Sequence, residues 1–155
     1  MKVLTVWQPW ASLLAVGAKP YEFRGRMPPA GYVGKRIGVN AGARKIVRRE
    51  IEQLLGILNS RHAWRTCLVP ELAVPLLERA LVEPEILPLG AIVCTGVLGE
   101  ARSGAEIARE FGMGPVNDSE RHEHSNFGWP LTDIEAVIPP EPHRGLQGWS
   151  EWGGR

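Results

Sequence analysis

Gly17-Ala18-Lys19-Pro20-Tyr21-Glu22-Phe23-Arg24 is the stretch that decides the fold, because an apolar helix pattern precedes it and a turn-rich segment follows. If the chain is extended from Tyr21, alternation sends the rings of Tyr21 and Phe23 to one face of a strand. Glu22 and Arg24 then share the opposite face. Neighbouring charges backed by a buried aromatic face suit the floor of a polar cleft. The pattern is equally typical of an edge strand with a solvated ion pair, which contributes little to stability.

Length and charge limit the classes of protein that fit. The chain has 155 residues, enough for one domain with a sizeable core and too few for two ordinary ones. Its 18 basic and 17 acidic side chains give a formal charge of +1, which argues against bulk phosphate binding of the polybasic kind. This overall balance is compatible with a local basic patch, because six cations stand between positions 35 and 49 and the first acid after them is Glu50.

The cysteines and the N-terminus indicate a compartment. Cys67 and Cys94 are solitary and have no metal-ligand spacing, which predicts a reducing environment. The N-terminus shows neither a long apolar region nor a cleavage site, and no apolar run approaches the roughly 20 residues of a membrane helix. We therefore expect a cytoplasmic protein that does not contact membranes.

Periodicity and turn residues predict a mixture of strands and helices. Strands are expected at 3–6, 36–41, 89–98 and 127–138, and helices at 11–16, 43–59, from Pro70, from Pro75 and at 104–111. Gly17 is a predicted left-handed helix cap, and Ser103 with Glu106 has the spacing of a capping box. Pro139-Pro140 is expected to end the last strand. Segments 25–34 and 112–126 are predicted loops.

Separated motifs in a fixed order now resemble a known family. Leu4-Thr5-Val6-Trp7-Gln8-Pro9-Trp10-Ala11, followed by the Gly17–Arg24 stretch, resembles the start of the ASCH (activating signal cointegrator homology) family, with its Gly-x-Lys-x-x-Glu-x-Arg motif. The segment from Gly34 to Gly42 looks like the next strand of that family. Gly128-Trp129-Pro130-Leu131-Thr132-Asp133 and Arg144-Gly145-Leu146-Gln147-Gly148-Trp149 resemble its final strand and its tail.

The resemblance implies a fold and a class of ligand. The expected fold is α+β, a PUA-like mixed β-barrel with helices packed around it, formed as a single domain over residues 1–155 with a helical insertion at about 43–83. The family's cleft lies beside the motif, and RNA or a nucleotide is the expected ligand. Some small members resemble amidohydrolases that deacetylate N4-acetylcytidine, and at least one other is regarded as a ribonuclease.

The amidohydrolase branch also implies a catalytic set of a Lys, a Thr three residues later and a distant Glu. Lys19 matches the Lys, whereas Glu22 occupies the Thr position, and Glu100 is the match for the distant Glu. The departure at Glu22 puts that particular reaction in doubt. If the protein is a hydrolase, the residues at these three positions, Lys19, Glu22 and Glu100, are the expected catalytic residues.

The residue types at these positions fit such roles. In a dry cleft the pKa of Lys19 falls, which would make it a base or nucleophile, while a solvated Lys19 would only attract phosphate. Glu22 can accept from a cytosine amine, and Arg24 can fork onto phosphate or guanine. The expected substrate- or RNA-binding residues are Gln8, Trp10, Arg24, Asn40, Arg144 and Trp129.

Each candidate beside the motif also has a simpler interpretation. Trp7 and Trp10 stand three apart around a proline, so one of them can stack on a base, although a Trp more often fills core space. Gln8 is expected to read a base edge if its amide is buried. His122-x-His124 lacks further ligands, so we expect a polar loop, no metal and no cofactor. The basic face of Arg44, Lys45, Arg48 and Arg49 is either solvated or a site for RNA backbone.

Three functions follow from these observations. The first is an RNA- or nucleotide-binding domain. The second is a hydrolase acting on a modified nucleoside or on RNA, and the third is a protein-interaction adaptor that binds no nucleic acid.

Overall fold

The computed structural model describes residues 1–112 and 127–153. The strands are β1 (Lys2–Val6), β2 (Tyr21–Arg24), β3 (Arg36–Ala41), β4 (Ala91–Leu98), β5 (Arg102–Ser103), β6 (Phe127–Pro142) and β7 (Trp149–Glu151). The helices are α1 (Trp10–Ala15), α2 (Arg48–Leu58), α3 (Pro70–Val82) and α4 (Gly104–Phe111), with short 3-10 turns at Ala30–Tyr32, Ala63–Thr66 and Pro84–Ile86. Within these residues, none of the helices combines the length and apolarity needed to cross a bilayer.

The described strands form one curled mixed sheet, a half-barrel with the helices packed around it. Its order is β2-β6-β4-β3-β1-β7, and β5 pairs with β6. Strands β1 and β3 are parallel, while the other described pairs are antiparallel. This architecture confirms the predicted α+β class, a mixed curled sheet with helices packed around it.

The curl brings the first strand of the sheet to the last ones. Trp129 of β6 stacks on Trp149 of β7 at a ring separation of 6.1 Å, although three other strands separate β6 from β7 in the sheet order. Arg24 of β2 reaches Thr5 of β1 across the same gap, with Arg24 Nη2 donating to the Thr5 carbonyl at 2.9 Å. We call this junction between β2 and β1 the seam.

Two apolar clusters hold the half-barrel and its helices together. One lies inside the curl, where α1 packs on the inner face of the sheet around Leu4, Val39 and Trp129. The other joins α1 to α2 and α3, with Leu13, Leu54 and Leu77 at its centre. Because α1 contributes to both clusters, the segment that follows it is anchored where the helices meet the sheet.

Several local predictions are confirmed. Gly17 has φ +73°, as expected for a left-handed helix cap. Ser103 Oγ accepts from Glu106 N at 3.2 Å and Glu106 Oε2 accepts from Ser103 N at 2.9 Å, which is the predicted capping box opening α4.

The largest differences from the predictions are at α2, at Pro75 and at the end of β6. Helix α2 begins at Arg48 rather than 43, because Val47 is extended and Arg44 is held outside the helix by Glu50. Pro75 lies inside α3 instead of opening a helix, so it removes one helical hydrogen bond near the start.

The third difference concerns the two prolines that were expected to end the last strand. Strand β6 continues to Pro142, and its pairing with β4 jumps from Cys94↔Ala136 to Ile92↔Glu141. Pro139 and Pro140 fall in the bulge between these pairs, where the ladder needs no N–H donor. The predicted loop at 112–126, with His122 and His124, lies outside the described residues apart from Gly112.

Candidate functional site

The alternation of β2 sorts its side chains as predicted. Tyr21 and Phe23 pack in a small apolar cluster with Cys67 and Ile107. Glu22 and Arg24 take the other face, and in the pairing with β6 Glu22 stands opposite Trp129. The aromatic backing and the charged face therefore exist together.

A tight turn places Lys19 under this charged face. After α1, the amides of Ala18 and Lys19 both donate to the Leu13 carbonyl, at 2.9 and 3.2 Å. The side chain of Lys19 then runs inward, and the residue is only 2% exposed. Its Nζ donates to the Tyr21 carbonyl at 2.8 Å and lies 3.3 Å from Glu22 Oε2.

Two aromatic rings flank the Lys19 ammonium. The Nζ atom is 5.6 Å from the centre of the Trp10 ring and 5.5 Å from that of Phe23, within the range of a cation–π interaction. Burial lowers the pKa of Lys19 below its usual 10.5, the Glu22 carboxylate opposes that change, and Arg24 adds to it. Its partners therefore stabilise the charged ammonium at a buried position, where burial alone favours the neutral amine.

Glu22 joins two cations in one buried network. Its Oε1 lies 2.9 Å from Arg24 Nε while its Oε2 faces Lys19. The Nε atom of Arg24 is buried and makes no hydrogen bond, so this contact is an ion pair without a well-aligned N–H. One carboxylate between two cations leaves the group of three with a net positive charge.

Arg24 is the member of this group that reaches the surface. Its side chain is 30% exposed, and Nη2 is fixed by the Thr5 carbonyl. Among the residues that the structure describes, Nη1 has no hydrogen-bond or ion-pair partner. The guanidinium is therefore oriented by two contacts and still has N–H groups to offer.

Asn40 lies next to this seam, in β3 opposite Thr5 of β1. The orientation that satisfies its buried amide has Nδ2 donating to the carbonyls of Ala91 and His143, each at 3.2 Å. Gly145 lies directly against it, because a Cβ there would come within 2.1 Å of the Asn40 side-chain amide. Asn40 thus holds the C-terminal tail, and the neighbouring Arg144 is exposed.

Other predicted binding residues are used inside the protein. Gln8 accepts from Ser12 N at 3.1 Å and donates both amide hydrogens, to Ser12 Oγ at 2.8 Å and to the Pro88 carbonyl at 2.9 Å. Trp129 is 1% exposed, and its Nε1 donates to the Arg26 carbonyl. Trp10 is half-buried beneath Lys19. In this structure Gln8 and Trp129 offer no free polar group to a ligand.

Glu100 is not brought into the network. It is an exposed residue directly after β4, and it makes no hydrogen bond or ion pair within the described part of the chain. Glu22 is the carboxylate that faces Lys19. Over residues 1–112 and 127–153, no group of three His, Cys, Asp or Glu side chains is placed to hold a metal ion.

Two members of the site were missed from the sequence. Thr5 contributes its backbone carbonyl, and no side-chain pattern reports such a contact. Gly145 contributes the absence of a side chain, which lets the tail approach Asn40. The pair of glycines in the tail motif was the one available signal for it, because a glycine often marks close approach of two backbones.

Comparison with known proteins agrees with the architecture. A solved structure described as ASCH from Zymomonas mobilis superposes with a TM-score of 0.52 at 14% sequence identity, covering 96% of this chain and 85% of that chain. No family model and no curated protein matches the sequence. The structural match agrees with the order of the sequence motifs and shows that this chain has the fold of an ASCH structure.

Proposed function

We propose that the protein binds RNA or a nucleotide at the seam, beside Lys19, Glu22 and Arg24. The observation that carries this proposal is the state of Arg24. Its guanidinium is fixed by the Thr5 carbonyl and by Glu22, and Nη1 has no partner among the described residues. A pre-oriented guanidinium binds phosphate with less loss of side-chain entropy than a freely moving one.

Lys19 and Glu22 support Arg24 in this proposal. Lys19 is too deeply buried to meet a ligand in this structure, and it acts through the Glu22 carboxylate that it shares with Arg24. Without Lys19, the Glu22 carboxylate would be held by Arg24 alone. The net positive charge of the three groups favours an anionic ligand at the seam.

The surroundings of Arg24 also suit a polyanion. Arg144, next to the glycine that contacts Asn40, is exposed, and so is Lys45 in the segment between β3 and α2. Neither has an ion-pair partner among the residues that the structure describes. The resemblance of the motifs to ASCH proteins is what selects RNA or a nucleotide among possible anions. The free, buried cysteines agree with a reducing compartment, and we propose the cytoplasm.

A hydrolase is the second candidate, and the lowered pKa of Lys19 favours it. A lysine with a lowered pKa gives up its proton more readily, and its amine beside Glu22 would then be a suitable base for a water molecule that attacks an acetyl carbonyl or a phosphodiester. Arg24 would then stabilise the developing oxyanion. The substrate would have to reach a lysine that is now covered, which is why binding is the first candidate.

Two assays separate the candidates. Filter binding of single-stranded RNA at increasing salt concentration should show an affinity that falls steeply, since phosphate contacts release counterions. An adaptor without nucleic-acid function would bind no RNA at any salt concentration. Incubation with N4-acetylcytidine and with total RNA tests turnover. If wild type forms product and Lys19→Ala does not, while Lys19→Ala still binds RNA, the protein is a hydrolase rather than a simple binder.

A further inference from the structure

Beyond Arg24, the surface continues to a second aromatic and basic feature. Trp7 follows β1 and is 39% exposed. The Arg44 guanidinium lies over its ring, with Arg44 Cζ 4.6 Å from the ring centre, within the range of a cation–π interaction. We call Trp7 with Arg44 the Trp–Arg platform.

The indole of the platform packs closely against the chain beside it. A Cβ on Gly42 would come within 2.9 Å of Trp7 Cδ1 and 3.3 Å of Thr5 Cγ2, so the indole packs directly on glycine backbone. From above, Arg44 is fixed by Glu50, with Nη2 2.7 Å from Glu50 Oε1. Both planar groups are thus pre-oriented, which reduces the entropy lost when a further planar group stacks on them.

The same contacts connect the platform to the seam. Gly42 touches both Thr5 and Trp7, and the carbonyl of Thr5 is the one that accepts from Arg24. Thr5 and Trp7 are two steps apart along the extended chain, with Val6 between them, a distance of about 7 Å. Neighbouring nucleotides of an extended single strand can bridge such a distance.

The charge around the platform suits the backbone of a nucleic acid. Lys45 is exposed beside Arg44, and Arg144 is exposed beside the glycine that contacts Thr5 and Asn40. Neither is neutralised by an acid within the described residues. Aromatic stacking beside unneutralised cations is how single-stranded nucleic acids are bound without reading their sequence.

We propose that the Trp–Arg platform is a second base-stacking site, so that the ligand of this protein is single-stranded RNA of two or more nucleotides rather than a free nucleotide. This proposal rests on the proposed function, because Arg24 holds the first phosphate. The platform holds the neighbouring base, and Lys45 and Arg144 face the backbone.

The test compares two ligands on matched variants. A fluorescein-labelled single-stranded RNA hexanucleotide of mixed sequence is titrated by anisotropy, and unlabelled nucleoside monophosphates compete in a separate series. The variants are Trp7→Leu, which removes the stacking ring, and Arg44→Lys, which keeps the charge and removes the planar group. Arg79→Ala is the control, because Arg79 is an exposed arginine of α3 paired with an acid, as Arg44 is. Thermal unfolding confirms that each variant folds.

The expected result is that Trp7→Leu weakens hexanucleotide binding about tenfold and that Arg44→Lys weakens it by a smaller factor. Nucleoside monophosphates should compete with these variants as they do with wild type. The control Arg79→Ala should bind the hexanucleotide with wild-type affinity. Unchanged hexanucleotide affinity in Trp7→Leu, or an equal loss for both ligands, overturns the platform while leaving Arg24 binding intact. Wild-type protein that binds neither ligand overturns the proposed function and this inference together.

Discussion

The Lys19 ammonium lies 3.3 Å from the Glu22 carboxylate, and both residues are buried where the chain passes from α1 to β2. Because Glu22 also contacts Arg24, this one carboxylate lies between two cations. This asymmetry determines how the network should respond to substitution.

Glu22→Gln is expected to cost more stability than Lys19→Met. Removing the carboxylate leaves two neighbouring cations, one fully buried, and such a loss costs about 3–5 kcal/mol in the free energy of unfolding. Lys19→Met leaves Glu22 paired with Arg24 and mainly deprives the Tyr21 carbonyl of its donor, at a cost of about 1–3 kcal/mol. Urea denaturation at pH 7 measures both values. The reverse order would show that Lys19, rather than Glu22, is the centre of the network.

The stability difference between wild type and Lys19→Met should change with pH. Burial lowers the pKa of Lys19 in the folded protein below 10.5, its usual value. At pH values between the lowered pKa and 10.5, Lys19 binds more protons in the unfolded chain than in the folded protein, so raising the pH stabilises the folded state. The wild type should therefore gain stability relative to Lys19→Met as the pH approaches 10.5. The difference in the free energy of unfolding between the two proteins cancels the contributions of the other titrating groups. If this difference stays constant or falls as the pH rises, the pKa of Lys19 is not lowered by burial.

The two thiols should be inert in the folded protein. Burial raises the pKa of Cys67 to about 12 and that of Cys94 to about 12, so neither is a thiolate at pH 8. A reagent that modifies thiols by thiol–disulfide exchange should react with both cysteines at pH 8 only at the rate at which the folded protein opens and exposes them. Addition of urea should release both thiols. Rapid reaction of one thiol without urea would mean that its cluster opens locally.

Gly145→Ala should disturb the seam without touching a charge. The new Cβ would lie 2.1 Å from the Asn40 side-chain amide and 2.6 Å from Thr5 Oγ1, and Asn40 is held by two carbonyls. We expect a loss of about 1–3 kcal/mol in the free energy of unfolding and weaker RNA binding as the Arg144 segment shifts.

Gly56→Ala is the matched control for this substitution. Gly56 lies inside α2, and a Cβ added there would have no neighbouring atom within 4 Å, so alanine should stabilise the protein by about 0.5–1 kcal/mol. If Gly145→Ala behaves like Gly56→Ala, the tail is not seated against Asn40 as described.

The sequence predicted the local features that depend on neighbouring residues. Alternation in β2, the cap at Gly17 and the capping box at Ser103 each follow from a few adjacent side chains, and the structure has all three. The order of separated motifs also indicated the fold, which no local pattern could give. Local patterns and the order of the motifs together are therefore sufficient to indicate the α+β class.

Contacts between distant segments were not accessible. Alternation assigns Arg24 to a face but does not say that the curl of the sheet brings Thr5 opposite it. Gln8 resembled a base reader because nothing in the sequence shows that the Pro88 carbonyl would take one of its hydrogens. The prolines of β6 looked like a strand end because a bulge depends on the partner strand. Each of these outcomes depends on tertiary pairing.

The dependence of RNA affinity on salt, compared between wild type and Arg24→Gln, tests most directly whether Arg24 holds a phosphate. For single-stranded RNA, each phosphate contact contributes about 0.7 to the slope of log K against log salt concentration. Arg24→Gln should bind more weakly with a slope smaller by about 0.7, while Arg79→Ala should match wild type. If Arg24→Gln retains both the affinity and the slope of the wild type, the seam is not where this protein holds RNA.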